Sequence, residues 1–291
     1  MRRSSCPAIL EVTMAYNTVT GMIPSRQLQL GQWLFLGLAY GAAGTLMGVS
    51  LLPAMALVAA WWHLSSSWPW VARLAGTGLC LGWGYFLSGL SLLGLTIAAC
   101  RGARLTVREG DYPFFSTTAA RWVFSYALTL VVQTLFMPFM RSTLLICGWY
   151  RGMGATIGRD VQINTCQLND ASLLEFGDGA LVGADALIIC HATEGGILVL
   201  RKTRLGPNAA VGAGAVLMPG VTLGPDAVVL PGSVVPPSTQ IPAGEVWAGV
   251  PAHCVKPSTA RSRAAQAFIR QRADPRARAR SPASAHRPRT A

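Results

Sequence analysis

The residue best suited to do chemistry is a histidine. The stretch IICHATEGGILVLRKTR (residues 188–204) contains His191, the sole histidine between residues 64 and 252. A neutral imidazole near pH 7 can take a proton from a hydroxyl or an amine. A lone histidine is more often structural, so the weight of His191 rests on its place at a break in a repeat. Asp170 and Glu175 sit near the other break. They could orient such a base or an acceptor amine, or be solvated turn acids. Metal chemistry finds little support. The seven cysteines are odd in number and contain no CxxC, which suggests buried free thiols in a reducing compartment. His191 and His253 lie far apart in repeat phase, so no metal site is expected.

The repeat supplies the scaffold. Val199, Leu205, Val211, Leu217, Leu223, Val229 and Val235 follow one another at steps of six, and all are aliphatic. A period of six fits neither a strand nor a helix and points to a solenoid. LGPNAA, VGAGAV, LMPGVT, LGPDAV and VLPGSV run in tandem, with IGRDVQ, FGDGAL and VGADAL upstream. Each six makes a short extended segment and a tight turn. The aliphatic and a small residue point inward, while Gly, Pro, Asn and Asp supply the turns. Three sixes close a triangular coil, and successive coils pair as parallel strands about 4.8 Å apart. Ile163 to Phe176 is 13 steps and Ile188 to Val199 is 11. Such breaks are where loops leave a solenoid, and loops carry function.

Residues 155–256, with the ending AGVPAHCVK (Ala248–Lys256), resemble the hexapeptide-repeat acyltransferases, above all the sugar acetyltransferases. The resemblance implies a left-handed parallel β-helix over 151–256, an exception to the usual right-handed crossover. It implies His191 as general base and Asn164 on the acceptor side, where Asp170 is also expected. Ala213 and Pro231 would line a pantetheine groove. His253 and Lys256 would lie near nucleotide phosphates. Pro236 and Pro237 stand where the sugar acetyltransferases have Thr-Lys, which leaves room for a carrier-protein phosphopantetheine instead of free CoA. The co-substrate implied is acetyl-CoA or another acyl-phosphopantetheine thioester. Relatives are commonly trimers with the groove between subunits, so a homotrimer is expected. Trp247 could cap the groove or plug the core.

The first half must hold this scaffold in place. Residues 1–150 carry nine Arg, no Lys and three acids; residues 151–256 carry six basic and eight acidic groups; residues 257–291 carry nine Arg and one Asp. No charge lies between Arg26 and Arg73, nor from Leu74 to Cys100. Each stretch exceeds the ~20 apolar residues that cross a bilayer. We expect spans at about 33–60, bent near Pro53, and about 76–98, within a hairpin over 31–100 that follows an N-terminal segment 1–30. The stretch WWHLSSSWPW between them suits an interfacial turn. The Arg bias puts the N-terminus and residues 101–121 in the cytoplasm, and the β-helix with them, on a bacterial inner membrane. Residues 122–150 could cross once more, but Pro138 and Arg141 interrupt them. The preferred reading for 101–150 is a set of in-plane juxtamembrane helices. The motifs REGDYPFFSTTAARWVF and RGMGATIGRDVQIN resemble the C-terminal membrane region of polylysine-synthetase-type peptide synthetases and their stand-alone relatives. Residues 257–291 read as a disordered basic tail, suited to anionic lipid. No interleaved aromatics accompany its arginines, so no nucleic-acid partner is expected.

The sequence thus points to transmembrane helices, a left-handed parallel β-helix and a disordered tail. The expected function is membrane-anchored acyl transfer, acetyl by preference, to a hydroxyl or amine. Two alternatives remain. One is a peptide-bond-forming partner or terminal domain of a non-ribosomal peptide synthetase system, needing a synthetase or carrier protein. The other is a non-catalytic scaffold at the membrane.

Overall fold

The computed structural model describes residues 26–114 and 116–257. The N-terminal segment up to residue 25 and the tail from 258 onward lie outside the described residues, as does the expectation of disorder there.

Three helices come first: α1 (Arg26–Ser50), α2 (Leu52–Leu64) and α3 (Trp70–Gly102). Pro53 sits in the first turn of α2, where its missing N–H costs nothing, and the helical run is interrupted at Leu51. Two stretches, Gly37–Leu64 and Trp70–Gly102, are long and apolar enough to cross a membrane. They pack through small residues. A methyl on Gly84 would come within 2.9 Å of the Ala54 methyl, and one on Gly76 would overlap the Trp61 ring. The connecting turn is aromatic. Trp61 meets Trp68 edge-on, and the Arg73 guanidinium lies 4.1 Å from the Trp62 ring centroid.

The segment expected to be in-plane helices opens instead with a strand, β1 (Gly110–Pro113). Then come α4 (Thr117–Leu135), a 3-10 turn (Met137–Met140) and α5 (Leu144–Met153). Ser116 caps α4, its hydroxyl accepting from the Ala119 N–H at 3.1 Å. One face of α4 packs Val123, Phe124, Ala127 and Val131 against Ala39 and Ala43 of α1. Helix α5 buries Ile146, Cys147, Trp149, Tyr150 and Met153. It packs on the first coil of the next domain, closing that end of its core.

From β2 (Thr156–Ile157) to β16 (Val246–Gly249) the chain winds through short parallel strands in three sheets. The inward residues follow the six-residue rule. Ile157, Ile163 and Leu168 form the first coil, and Phe176, Val182 and Ile188 the second. Leu205, Val211 and Leu217 follow, then Leu223, Val229 and Val235, then Ile241 and Trp247. All are buried except Trp247, which is partly buried against the same core and closes its far end. Parallel registers such as Val211↔Val229 and Leu217↔Val235 are offset by one 18-residue coil. Each buried aliphatic contributes roughly 1.5–3 kcal/mol. The turns require a left-handed residue, and Gly, Asn and Asp supply nearly all of them: Asp160, Gly179, Asn208, Asp226 and Gly244 share one corner with φ between 54° and 72°.

Val199 departs from the expected phase. It is half-buried in β8 (Ile197–Leu200), which forms an antiparallel hairpin with β7 (His191–Glu194) through Gly195 and Gly196. The hairpin is an insertion between Ile188 and Leu205, and Val199 falls on the six-step only by count. On its other edge β8 pairs antiparallel with β1, Asp111 opposite Val199. The loop that leaves the β-helix is therefore part of a three-stranded sheet with the segment after α3.

Candidate active site

His191 is the first residue of β7, immediately outside the second coil. Its side chain is 22% exposed and its Nδ1 lies 2.6 Å from Asp170 Oδ2. With Nδ1–H donating to the carboxylate, Nε2 keeps its lone pair outward. The carboxylate of Asp170 is 1% exposed. A buried charge needs donors, and it has three. Besides His191, Oδ2 accepts from the Cys190 backbone N–H at 3.2 Å, and Oδ1 accepts from the Trp122 indole N–H at 2.7 Å.

Coil stacking explains the pair. Leu168 bridges Ile188 in parallel, so the residues after each run side by side one coil apart. Asp170 takes the left-handed turn position of its corner (φ 60°), the same role that Gly220 and Ser238 take in later coils. Asp tolerates this conformation, and the turn aims its side chain at the coil above. Alternation does the rest. Cys190 points into the core while His191 points out. The Cys190 thiol, beside Thr203 Oγ1 at 3.4 Å, is fully buried. Burial and the nearby Asp170 charge push it well above the usual thiol range, which removes it as a nucleophile.

Helix α4 forms the wall facing the imidazole. The Trp122 ring centroid is 4.9 Å from that of His191, and Tyr126, one turn on, is at 5.8 Å. Burial holds the Tyr126 phenol protonated above its ordinary range, with the Asp170 charge adding to the effect. Further along, Gln133 Nε2 donates to the Leu168 carbonyl at 2.9 Å, and the Tyr150 hydroxyl donates to the same oxygen at 3.2 Å. The helical half thus touches the coil that carries Asp170 at several points. Trp122 and Tyr126 were missed in the sequence. Their signal there is an i, i+4 aromatic pair at the start of a helix, which reads equally as core.

The other expected residues stand elsewhere. Asn164 is exposed after β3 (Gln162–Ile163), on the corner column that also carries exposed Ala213 and Pro231. That corner and His191 lie at opposite edges of the three-stranded face β6 (Leu187–Ile188), β11 (Val216–Leu217) and β14 (Val234–Val235). A single chain does not bring them together. The corner is open: methyls on Gly214 and Gly232, the residues after Ala213 and Pro231, would meet nothing within 4 Å. His253 and Lys256 are exposed on β17 (Ala252–Lys256), which folds back on β16. Asp170 is buried at His191 and not beside Asn164. Glu175 is on an outer face, held by Lys202 Nζ at 2.6 Å and Arg204 Nε at 2.9 Å. Among the described residues no group of three metal-binding side chains occurs.

Comparisons with known proteins find partial similarities. The delta-poly-L-ornithine synthetase of Acinetobacter baumannii (strain AB307-0294) is 30% identical over 158 residues, which is 54% of this chain and 12% of that protein. The chain therefore spans only a small part of the length of that relative. Among solved structures, a maltose O-acetyltransferase from Clostridium difficile 630 is similar with a TM-score of 0.41 and 17% identity, over 52% of this chain and 94% of that one. A galactoside acetyltransferase in complex with coenzyme A has a TM-score of 0.34 and 21% identity, over 40% and 71%. Residues 202–237 match the profile of the bacterial transferase hexapeptide, six repeats. That match lies within the β-helix, and through it the chain is similar to the hexapeptide-repeat transferases.

Proposed function

We propose that this chain is a membrane-anchored acyltransferase in which His191 is the general base and Asp170 holds it in position. The acyl donor is a phosphopantetheine thioester, acetyl-CoA by preference. The observation that carries the reading is the buried Asp170 carboxylate 2.6 Å from His191 Nδ1, beside a loop that leaves the β-helix. An Nδ1–H bound to a carboxylate leaves Nε2 as the basic nitrogen and stabilises the imidazolium once formed.

The step balances simply. An acceptor O–H or N–H gives its proton to His191 Nε2 as the oxygen or nitrogen attacks the thioester carbonyl. The tetrahedral intermediate collapses, the C–S bond breaks, and the imidazolium proton goes to the leaving thiolate. The pantetheine arm would run along the corner at Ala213 and Pro231, which is open at Gly214 and Gly232. Lys256 supplies positive charge for phosphates, and His253 a ring N–H donor. Because this corner and His191 lie across one face, the complete site is expected between two copies in a homotrimer, with Asn164 on the acceptor side. The two long apolar helices, with exposed Leu34, Leu38, Leu79, Leu81 and Trp83, support anchoring in lipid. The Arg bias favours a cytoplasmic β-helix on a bacterial inner membrane.

A second reading is favoured by the synthetase relative. The acceptor would then be an amine and the product a peptide bond, with the donor on a carrier protein. The same base serves both.

The test uses the full chain in detergent micelles with acetyl-CoA and a panel of amines and alcohols, following thiol release. Turnover that falls at least ~100-fold in His191→Ala supports the reading. Undiminished turnover in a folded His191→Ala protein would sink it. Acetyl-CoA binding measured by calorimetry separates free CoA from a carrier-bound donor.

A further inference from the structure

We infer that Trp122, on the helical half, is a positioning residue for the His191–Asp170 pair, so that the site is assembled across the two halves of the chain. This rests on the proposed role of His191. The geometry is specific. Asp170 has two carboxylate oxygens. Oδ2 already serves His191 Nδ1 and the Cys190 N–H, and Oδ1 faces Trp122 Nε1 at 2.7 Å. An indole nitrogen donates and cannot accept, so this contact favours the charged carboxylate and fixes its plane. With the plane fixed, Oδ2 is aimed at His191 and the imidazole is held in one tautomer. The Trp122 ring also lies against the imidazole, with centroids 4.9 Å apart. One side chain thus restrains both members of the pair.

Trp122 is itself placed by the helical half. Ser116 caps its helix, and the adjacent residues Val123, Phe124 and Ala127 take part in the packing with α1. A change in how α4 sits against α1 would move the donor away from Asp170. The β-helix carries the base, but a helix packed on a candidate membrane span sets its geometry.

The experiment compares the full-length protein with Trp122→Phe, Asp170→Ala and the double variant, with acetyl-CoA as donor and the best acceptor from the panel. Trp122→Phe keeps a ring and removes the N–H. We expect kcat to fall about ten- to a hundredfold, the scale of one hydrogen bond to a charged group, with KM for acetyl-CoA within about twofold. Adding Trp122→Phe to Asp170→Ala should cost nothing more, because alanine leaves the indole N–H no oxygen to act through. Wild-type kcat in Trp122→Phe, or losses that multiply in the double variant, overturns the inference. If the phenylalanine variant does not fold, benzothienylalanine placed at position 122 by codon suppression keeps the shape and removes only the N–H, and it must give the same loss. His191→Ala is run alongside. If it retains turnover, the reading of the base has failed and this inference with it. If it is inactive while Trp122→Phe is normal, only this inference fails.

Discussion

At the residue scale, the site depends on one carboxylate in an unusual place. Asp170 is buried, charged and in a left-handed turn, conditions that sequence patterning alone assigns to solvated acids. Its corner equivalents Gly220 and Ser238 show why the backbone accepts it there. Asp170→Asn keeps the turn and some hydrogen bonding but accepts less well from Nδ1–H. We expect its turnover to fall about 10- to 1,000-fold with the fold intact, and thermal melting beside the rate assay checks both. Glu175 is a contrast. Lys202, and then Arg204, hold its carboxyl below the usual carboxylate range. A depressed folded value means the pairing stabilises above the unfolded value of about 4.3. That stability is lost as pH falls through the folded value. Glu175→Gln should therefore destabilise the fold by roughly 0.5–1 kcal/mol at pH 7, discounted because the pair is partly solvated. Denaturant titrations should show the two proteins converging as pH falls through the folded carboxyl's lowered range; a constant gap would refute the assignment.

At the element scale, the β-helix is a stack of identical solutions to one problem. Each corner needs a residue that tolerates positive φ, and each inward position needs an aliphatic. Asn208, with φ 54°, stacks between Gly179 and Asp226. Asn208→Val places a β-branched residue in that conformation and should cost about 1–2 kcal/mol. Asn208→Gly should be nearly neutral, and equal melting of both variants would count against the turn argument. The hairpin β7–β8 leaves the stack altogether. It does not hang free, because β1 pairs along its edge and Arg201 Nη2 reaches Asp111 Oδ1 at 2.7 Å. That pairing joins strands about ninety positions apart, which no local period reveals.

At the scale of the whole molecule, the chain puts a transferase-type β-helix beneath a helical hairpin, with α4 and α5 between them. Helix α5 closes one end of the core and Trp247 the other. The membrane reading makes a directional prediction. Cys254 is exposed on β17, while Cys100, Cys147 and Cys190 are buried. In a Cys6→Ser background, an impermeant maleimide should label Cys254 in inverted membrane vesicles and leave it unlabelled in intact spheroplasts. The opposite pattern would place the β-helix outside, and loss of the protein from the membrane pellet in alkaline carbonate would remove the anchor altogether.

The sequence by itself determined the coil. A six-residue period of aliphatics separated by turn formers leaves one way to bury the apolar residues and satisfy the turns, so the three sheets follow from pattern alone. It also marked His191, because an insertion interrupts a regular register there. It misplaced Val199, since counting by six cannot tell a coil position from a strand in an inserted hairpin. Only the tertiary structure decided what surrounds the histidine. Asp170 reaches it through the parallel stacking of Leu168 on Ile188, a register that the irregular first break hides. Trp122 and Tyr126 reach it because α4 lies against that coil. Contacts between halves separated by dozens of residues are set by which helix faces meet, and a period marks a face without naming its partner.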